Sequence, residues 1–137
     1  MLDYLTLKTS KSQELLDITE QINLLIEDKD VKTGLCCVFA LHATAGVIIN
    51  ENWDNSVRDD FLDRLKKLIP DHDNYLHDKV DNNAAAHLKS AIVGPSVTIP
   101  IENGKLLLGQ WQAVMFCEFD GPRAARRIAI HIIPGTI

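Results

Sequence analysis

Val97-Thr98-Ile99-Pro100-Ile101, then Glu102-Asn103-Gly104, then Lys105-Leu106-Leu107-Leu108 is the stretch on which the fold turns. Asn-Gly between two apolar runs is a hairpin signal, because a type I′ turn needs positive φ at both central positions and these two residues tolerate it. The hairpin fixes antiparallel pairing for its own two strands. The same pattern continues outward. Residues 110–119 and 126–133 are two further strand-like runs, joined across Asp120-Gly121-Pro122. Upstream, Gly34 releases residues 35–42 (Leu-Cys-Cys-Val-Phe-Ala-Leu-His), which are apolar on both faces. A strand of that kind is covered on both sides, by other layers or by another subunit. Ala45–Glu51 reads as its successor, residues 2–9 as a loosely alternating edge strand, and residues 14–18 as a short one.

Three helices interrupt this series. Asp17 followed by Glu20 resembles a capping box that opens a helix through Asp28, with Ile18, Ile22, Leu25 and Ile26 on a single stripe. Asp54, Asn55 and Ser56 are caps for a helix that carries Val57, Phe61, Leu65, Leu68 and Ile69 and stops at Pro70. Residues 71–83 are polar and read as a loop, and a short helix runs from Asn82 to Val93 before Gly94-Pro95. Strands joined by tight turns with about three helices packed on them make the class α+β, with antiparallel β-sheet layers in a single compact domain. No repeat, linker or low-complexity stretch divides residues 1–137.

Composition narrows the function. A net charge of −5 argues against a sequence-independent nucleic-acid binder, which relies on a basic footprint. The 46% apolar and 24% charged residues are ordinary for a globular domain, which at this length buries roughly 68% of its unfolded surface. Three cysteines, two of them adjacent (Cys36 and Cys37), do not make a disulfide framework, and a reducing cytoplasm fits them. Asp3, Lys8 and Lys11 leave no apolar signal core near the start, and no run approaches the ~20 residues that span a bilayer. Phosphate loops, dinucleotide fingerprints, paired CxxC and GxSxG elbows are missing from the sequence.

The histidines carry more information. Three neutral imidazoles with an open fourth position make a catalytic divalent-metal site. His42 follows a strand and precedes Ala43-Thr44-Ala45-Gly46, His77 lies in the polar loop, and His87 shares a helix face with Asn83, Ala84 and Ala91. Their spacing contains no HxxxH or HExxH pair, so satisfied or surface histidines are the competing reading. His72 and His131 have surroundings that suit solvent. Asn50-Glu51-Asn52 is either turn chemistry or part of a site. Gln112 and Glu118 share a strand face but are ~20 Å apart, so they serve one small site only between subunits or across a bulge. Arg123 either pairs with Glu118 or holds a phosphate in its bidentate fork.

The motifs also occur in a familiar order. His42-Ala43-Thr44-Ala45-Gly46 with Ile49-Asn50-Glu51-Asn52 resembles the HTTAG…NEN signature of the YjbQ family. The likeness continues through Tyr75-Leu76-His77, Asp81-Asn82-Asn83-Ala84 and Ala86-His87-Leu88-Lys89. It resumes at Gly94-Pro95-Ser96, Leu107-Leu108-Gly109, Trp111-Gln112 and Glu118-Phe119-Asp120-Gly121-Pro122-Arg123. Ala43, Trp53 and Gln110 depart from the pattern, replacing a hydroxyl residue, a small residue and a threonine.

The resemblance implies a homotrimer with secondary thiamine-phosphate synthase activity, joining a pyrimidine diphosphate to a thiazole phosphate and releasing diphosphate. It implies a metal at His42, His77 and His87, catalytic roles for Glu118, Arg123 and Asn83, and substrate binding by Asn50, Lys89, Gln112 and Arg123. Three imidazoles suit Zn²⁺, Ni²⁺ or Fe²⁺, whereas a diphosphate substrate suits Mg²⁺. The alternative is a metal-dependent hydrolase, or a metal- or ligand-binding trimer without turnover. The expected partners are further copies of the chain and a small phosphorylated substrate, with neither nucleic acid nor membrane.

Overall fold

Asn103 and Gly104 both have positive φ, 51° and 76°, as the type I′ reading of the hairpin requires. The structure, a computed structural model, describes residues 1–136. Its strands are β1 (Leu2–Leu7), β2 (Glu14–Asp17), β3 (Gly34–Ala40), β4 (Ala45–Glu51), β5 (Ser96–Glu102), β6 (Lys105–Leu106), β7 (Gln112–Glu118) and β8 (Arg126–Pro134). The helices are α1 (Thr19–Asp28), α2 (Asn55–Leu68) and α3 (Ala84–Val93). A five-stranded sheet has the order β1-β8-β3-β5-β6 and a three-stranded sheet the order β2-β7-β4. Every pairing is antiparallel.

The two sheets face each other across one apolar layer. Cys36, Val38 and Ala40 of β3 and Ile128, Ile130 and Ile132 of β8 alternate inward, as the strand period of two requires. They meet Val47 of β4 and Val114 and Phe116 of β7. The α1 stripe of Ile22 and Ile26 joins this core, and Asn23 Oδ1 ties the helix to the sheet edge by accepting from the Leu106 N–H at 2.9 Å. A second core lies on the other side of the small sheet. There Leu15, Met115 and Cys117 pack against Leu65 and Ile69 of the α2 segment and Ala85 and Ala86 of α3. Among the described residues no helix is long and apolar enough to cross a membrane.

The structure differs from the sequence reading in several places. The strand expected over residues 35–42 ends at Ala40: the Leu41 N–H still bonds the Arg127 carbonyl at 3.1 Å, but the Arg127 N–H that would complete the rung goes to the His42 side chain. Only one of its faces is covered within the chain, with Leu35 and Phe39 of the other face 46% and 41% exposed. The strand covered on both faces is β7, which lies between the two cores. Asp17 does not form the expected capping box. Ile18 is the N-cap of α1, and Asp17 Oδ1 accepts instead from the Thr19 N–H at 2.9 Å. The polar loop holds a 3-10 turn at Leu76–Lys79.

Phe116 is fully buried in the layer between the sheets. Phe116→Ala should therefore cost about 3–5 kcal/mol, read as a lowered denaturant midpoint with an unchanged slope.

Candidate functional site

The polar centre of the molecule is built at the end of β7. Glu118 is fully buried there and Arg126, at the start of β8, is 3% exposed. The Arg126 Nε donates to Glu118 Oε1 at 2.9 Å and its Nη2 to Oε2. The Thr9 hydroxyl donates to Oε1 at 2.6 Å, and the Asp120 N–H to Oε2 at 3.1 Å. Burial alone pushes the Glu118 carboxyl up, but these donors, Arg126 first, hold it below the usual value of 4.5. Sequence reasoning missed Arg126, and the possible pairing of Glu118 with Arg123 is corrected. Arg123 donates to Asp120 instead, from Nε to the carbonyl at 2.8 Å and from Nη2 to Oδ2 at 2.7 Å. Glu118, expected to be catalytic, is thus occupied as a buried structural anion.

The histidines lie beside this centre. His42 follows β3, and its Nε2 accepts from the Arg127 N–H at 2.7 Å, which fixes that nitrogen as unprotonated and leaves only Nδ1 open. His42 and His87 line one open cavity of about 650 Å³, together with Phe39, Leu41 and Ser90. His77 comes to the other side of His87 from the 3-10 turn, with ring centroids 4.7 Å apart and planes at 87°. Two imidazoles on one metal, each about 2 Å from it, place their centroids roughly 5 Å apart, so the pair has suitable spacing. His77 Nε2 is buried and has no hydrogen-bond partner; the Asp81 carboxylate is 3.6 Å away. Among the described residues no group of three or more His, Cys, Asp or Glu side chains is placed to hold a metal, so one subunit presents a pair and not the expected triad. His72 remains largely exposed.

Asn83 stands at the start of α3 but does not cap it. The Asp78 carboxylate accepts from the Ala84 N–H at 3.0 Å, and Asn83 Nδ2 donates to Asp120 Oδ2 at 2.9 Å. Asn83 Oδ1 is buried and has no partner. Asp120 is thus the hub that joins Asn83 to Arg123, and it was not singled out from the sequence.

The other expected substrate contacts lie elsewhere. Lys89 is fully buried and its Nζ has no hydrogen-bond partner. Two positions from His87, it points to a different side of α3, and burial lowers its amine despite Asp71 nearby. Asn50 and Gln112 are at the opposite end of the small sheet, where Asn50 pairs with Ala113 and Gln112 with Glu51. Their side-chain oxygens accept from the Glu51 and Gly109 N–H groups, both at 2.7 Å. No bulge shortens β7, so Gln112 and Glu118 do not share a site within the subunit. Cys36 and Cys117 are buried thiols, and burial pushes both up, Cys36 to about 12.

Burial, with Arg126 next, lowers the His42 imidazole below its ordinary 6.5. The unfolded chain therefore takes up a proton that the folded chain refuses until more acid pH, so stability falls as pH drops below 6.5. Denaturation at pH 7.5 and 5.5 should show a smaller loss for His42→Gln, which does not titrate, than for the wild type.

Comparison with other proteins extends the sequence resemblance. Residues 3–135 match the family model described as "UPF0047 protein YjbQ-like". A UPF0047 protein of Archaeoglobus fulgidus is 46% identical over 124 residues, covering 90% of this chain and 95% of the relative. The UPF0047 protein YugU of Bacillus subtilis is 42% identical over 124 residues, covering 90% and 92%. A crystal structure of a protein from Sulfolobus solfataricus superposes with a TM-score of 0.94 at 32% identity, covering 98% and 97% of the two chains. One from Clostridium acetobutylicum superposes with a TM-score of 0.91 at 43% identity, covering 96% and 99%. These proteins are described only as UPF0047, YjbQ-like, uncharacterized or of unknown function, so the expected thiamine-phosphate synthase activity is withdrawn. With this coverage and identity throughout, the chain belongs to the YjbQ-like UPF0047 family.

Proposed function

We propose that the cleft beside α3 is a metal-dependent enzyme site for a small anionic, phosphate-bearing molecule. The observation that carries this reading is the His77–His87 pair, because one nitrogen of His77 is buried with no partner in the subunit. Such a nitrogen calls for a partner, which in its unprotonated form is a donor or a cation. His77 and His87 would hold a divalent cation that prefers imidazole, such as Zn²⁺, whose other ligands are water, substrate or a neighbouring copy. When bound, the cation supplies Lewis-acid polarisation of an oxyanion.

The chain's own groups complete the reading. Arg126 is balanced by its partner Glu118, which leaves Arg123 and Arg127 as the cations beside His42 that favour an anion. Arg123 is half-exposed and can turn part of its fork toward a ligand while Asp120 holds its Nε. Phe39, Leu41 and Pro95 supply an apolar wall, which suits a molecule with an organic body as well as a charge.

We infer further that the working unit is a homotrimer in a reducing, cytoplasmic compartment. Leu2, Tyr4, Leu35, Phe39, Leu41 and Ile133 are each at least 41% exposed, and five of them lie on β1, β3 and β8. Apolar groups clustered in this way mark an interaction surface. Phe39 and Leu41 belong also to the histidine cavity, so a copy seated on this face would wall the cleft. The cysteines are free, which fits the compartment.

Two measurements test these readings. Zn²⁺ titration by calorimetry should give saturable binding that His77→Ala or His87→Ala weakens at least tenfold and His72→Ala leaves unchanged. Equal binding by all the variants would overturn the metal site. Light scattering at micromolar concentration should give three times the 15.3 kDa subunit mass, and a mass of 15.3 kDa would overturn the trimer.

A further inference from the structure

The two tryptophans of the chain are side by side on its surface, away from the histidine cleft. Antiparallel pairing brings them together. Glu51 at the end of β4 faces Gln112 at the start of β7, so Trp53, two residues beyond, and Trp111, one residue before, project from the same sheet end. Their ring centroids are 5.7 Å apart with planes inclined at 64°. Trp53 is 79% exposed and Trp111 49%, although large aromatic side chains gain most from burial. The edge contact leaves most of both rings free.

The corner these rings make is part of a cavity of about 150 Å³, whose other walls include Asp17, Asn52, Gln110 and Gln112. Asp17 is the one charged residue among those walls. It is fixed in place, with Oδ1 accepting from the Thr19 N–H at 2.9 Å and Oδ2 from Asn52 Nδ2 at 2.6 Å. Burial pushes its carboxyl up, but these bonds and the more distant Arg58 bring it down overall, so it is an anion at neutral pH. The Arg58 fork is itself engaged, with Nη2 donating to Asn55 Oδ1 at 3.1 Å.

Two indole faces at an angle with a fixed carboxylate beside them have the chemistry that recognises a methylated ammonium ion. The faces present negative quadrupole to a cation that makes no hydrogen bonds of its own, and the carboxylate supplies the counter-charge. A sugar also stacks on tryptophan and could use the Gln110 amide, but it carries no charge for the fixed Asp17 carboxylate to balance. We propose that Trp53, Trp111 and Asp17 form a second ligand site, which binds a quaternary or methylated ammonium group. Its residues are separate from the proposed metal site, so either can stand if the other fails.

The site contains every tryptophan of the protein, so its fluorescence reports on it directly. Choline and tetramethylammonium should each change the emission saturably, while dimethylbutanol, the uncharged isostere of choline, should not. Asp17→Asn keeps the oxygen that accepts from the Thr19 N–H and should weaken choline binding at least tenfold. Trp53→Ala, at a largely exposed position, should weaken it comparably while Trp111 reports. Linear, non-saturating quenching, or equal binding of dimethylbutanol, would overturn the proposal. Tryptophans shielded from acrylamide in the assembled protein would overturn it too, by assigning the pair to a contact between copies.

Discussion

Glu118 and Arg126 carry the rest of the architecture. One residue ends the middle strand of the small sheet and the other begins the second strand of the large one, so their pair joins the two layers at one edge. Removing either partner would leave an uncompensated buried charge, which typically costs about 3–5 kcal/mol. The pair is viable because its hydrogen-bonding capacity is used. Thr9, from the link after β1, bonds the carboxylate and accepts from the Arg123 N–H at 2.8 Å, while Thr44, from the link before β4, accepts from the guanidinium at 3.0 Å. Four separate segments therefore converge on one ion pair.

That convergence also positions the candidate site. Arg127, next to the buried Arg126, holds His42 by its main-chain N–H, so the imidazole inherits its place from the ion pair. Asp120, two residues after Glu118, is anchored to the same carboxylate by its own N–H and presents its side chain to Asn83 and Arg123. Gly121 makes room for this crossing, since a Cβ there would sit 2.2 Å from the Lys11 carbonyl oxygen. A change at Glu118 would therefore disturb the cleft without Glu118 ever touching a ligand.

Local chemistry was legible in the sequence where it acted alone. The Asn103-Gly104 turn, the Asp54 cap of α2 and the alternation of β8 are short-range effects, and each appears in the structure. What the sequence could not decide was which apolar strand is sandwiched. Residues 35–41 and 113–117 are both apolar at every position, yet only β7 gains helices on its second face, because α2 and α3 pack on the small sheet. Part of the site was likewise legible, since the family motifs include His77 and His87, which do meet. Partners were not, because a carboxylate such as Glu118 looks equally available to Arg123 and Arg126 until the chain path after Gly121 is known. Lys89 reads as a free cation for the same reason, yet it is fully buried, with Lys66 of α2 and Asp71 as the charged groups near it.

A strand buried on both faces has no solvent-facing side along its middle, so polar function is confined to its two ends. In β7 the residues between the ends are Ala113, Val114, Met115, Phe116 and Cys117, all buried. At one end Glu118 turns inward to the ion pair and the chain continues to Asp120 and Arg123, beside the histidines. At the other, Gln112 and Trp111 emerge next to Asn52 and Trp53. Six residues of strand separate these ends by about 20 Å, and the apolar run between them carries no hydrogen-bonding side chain that could link them. Family motifs that look continuous along the chain are thereby divided by the fold into two chemical environments, one rich in arginine and imidazole and one formed by indole and carboxylate.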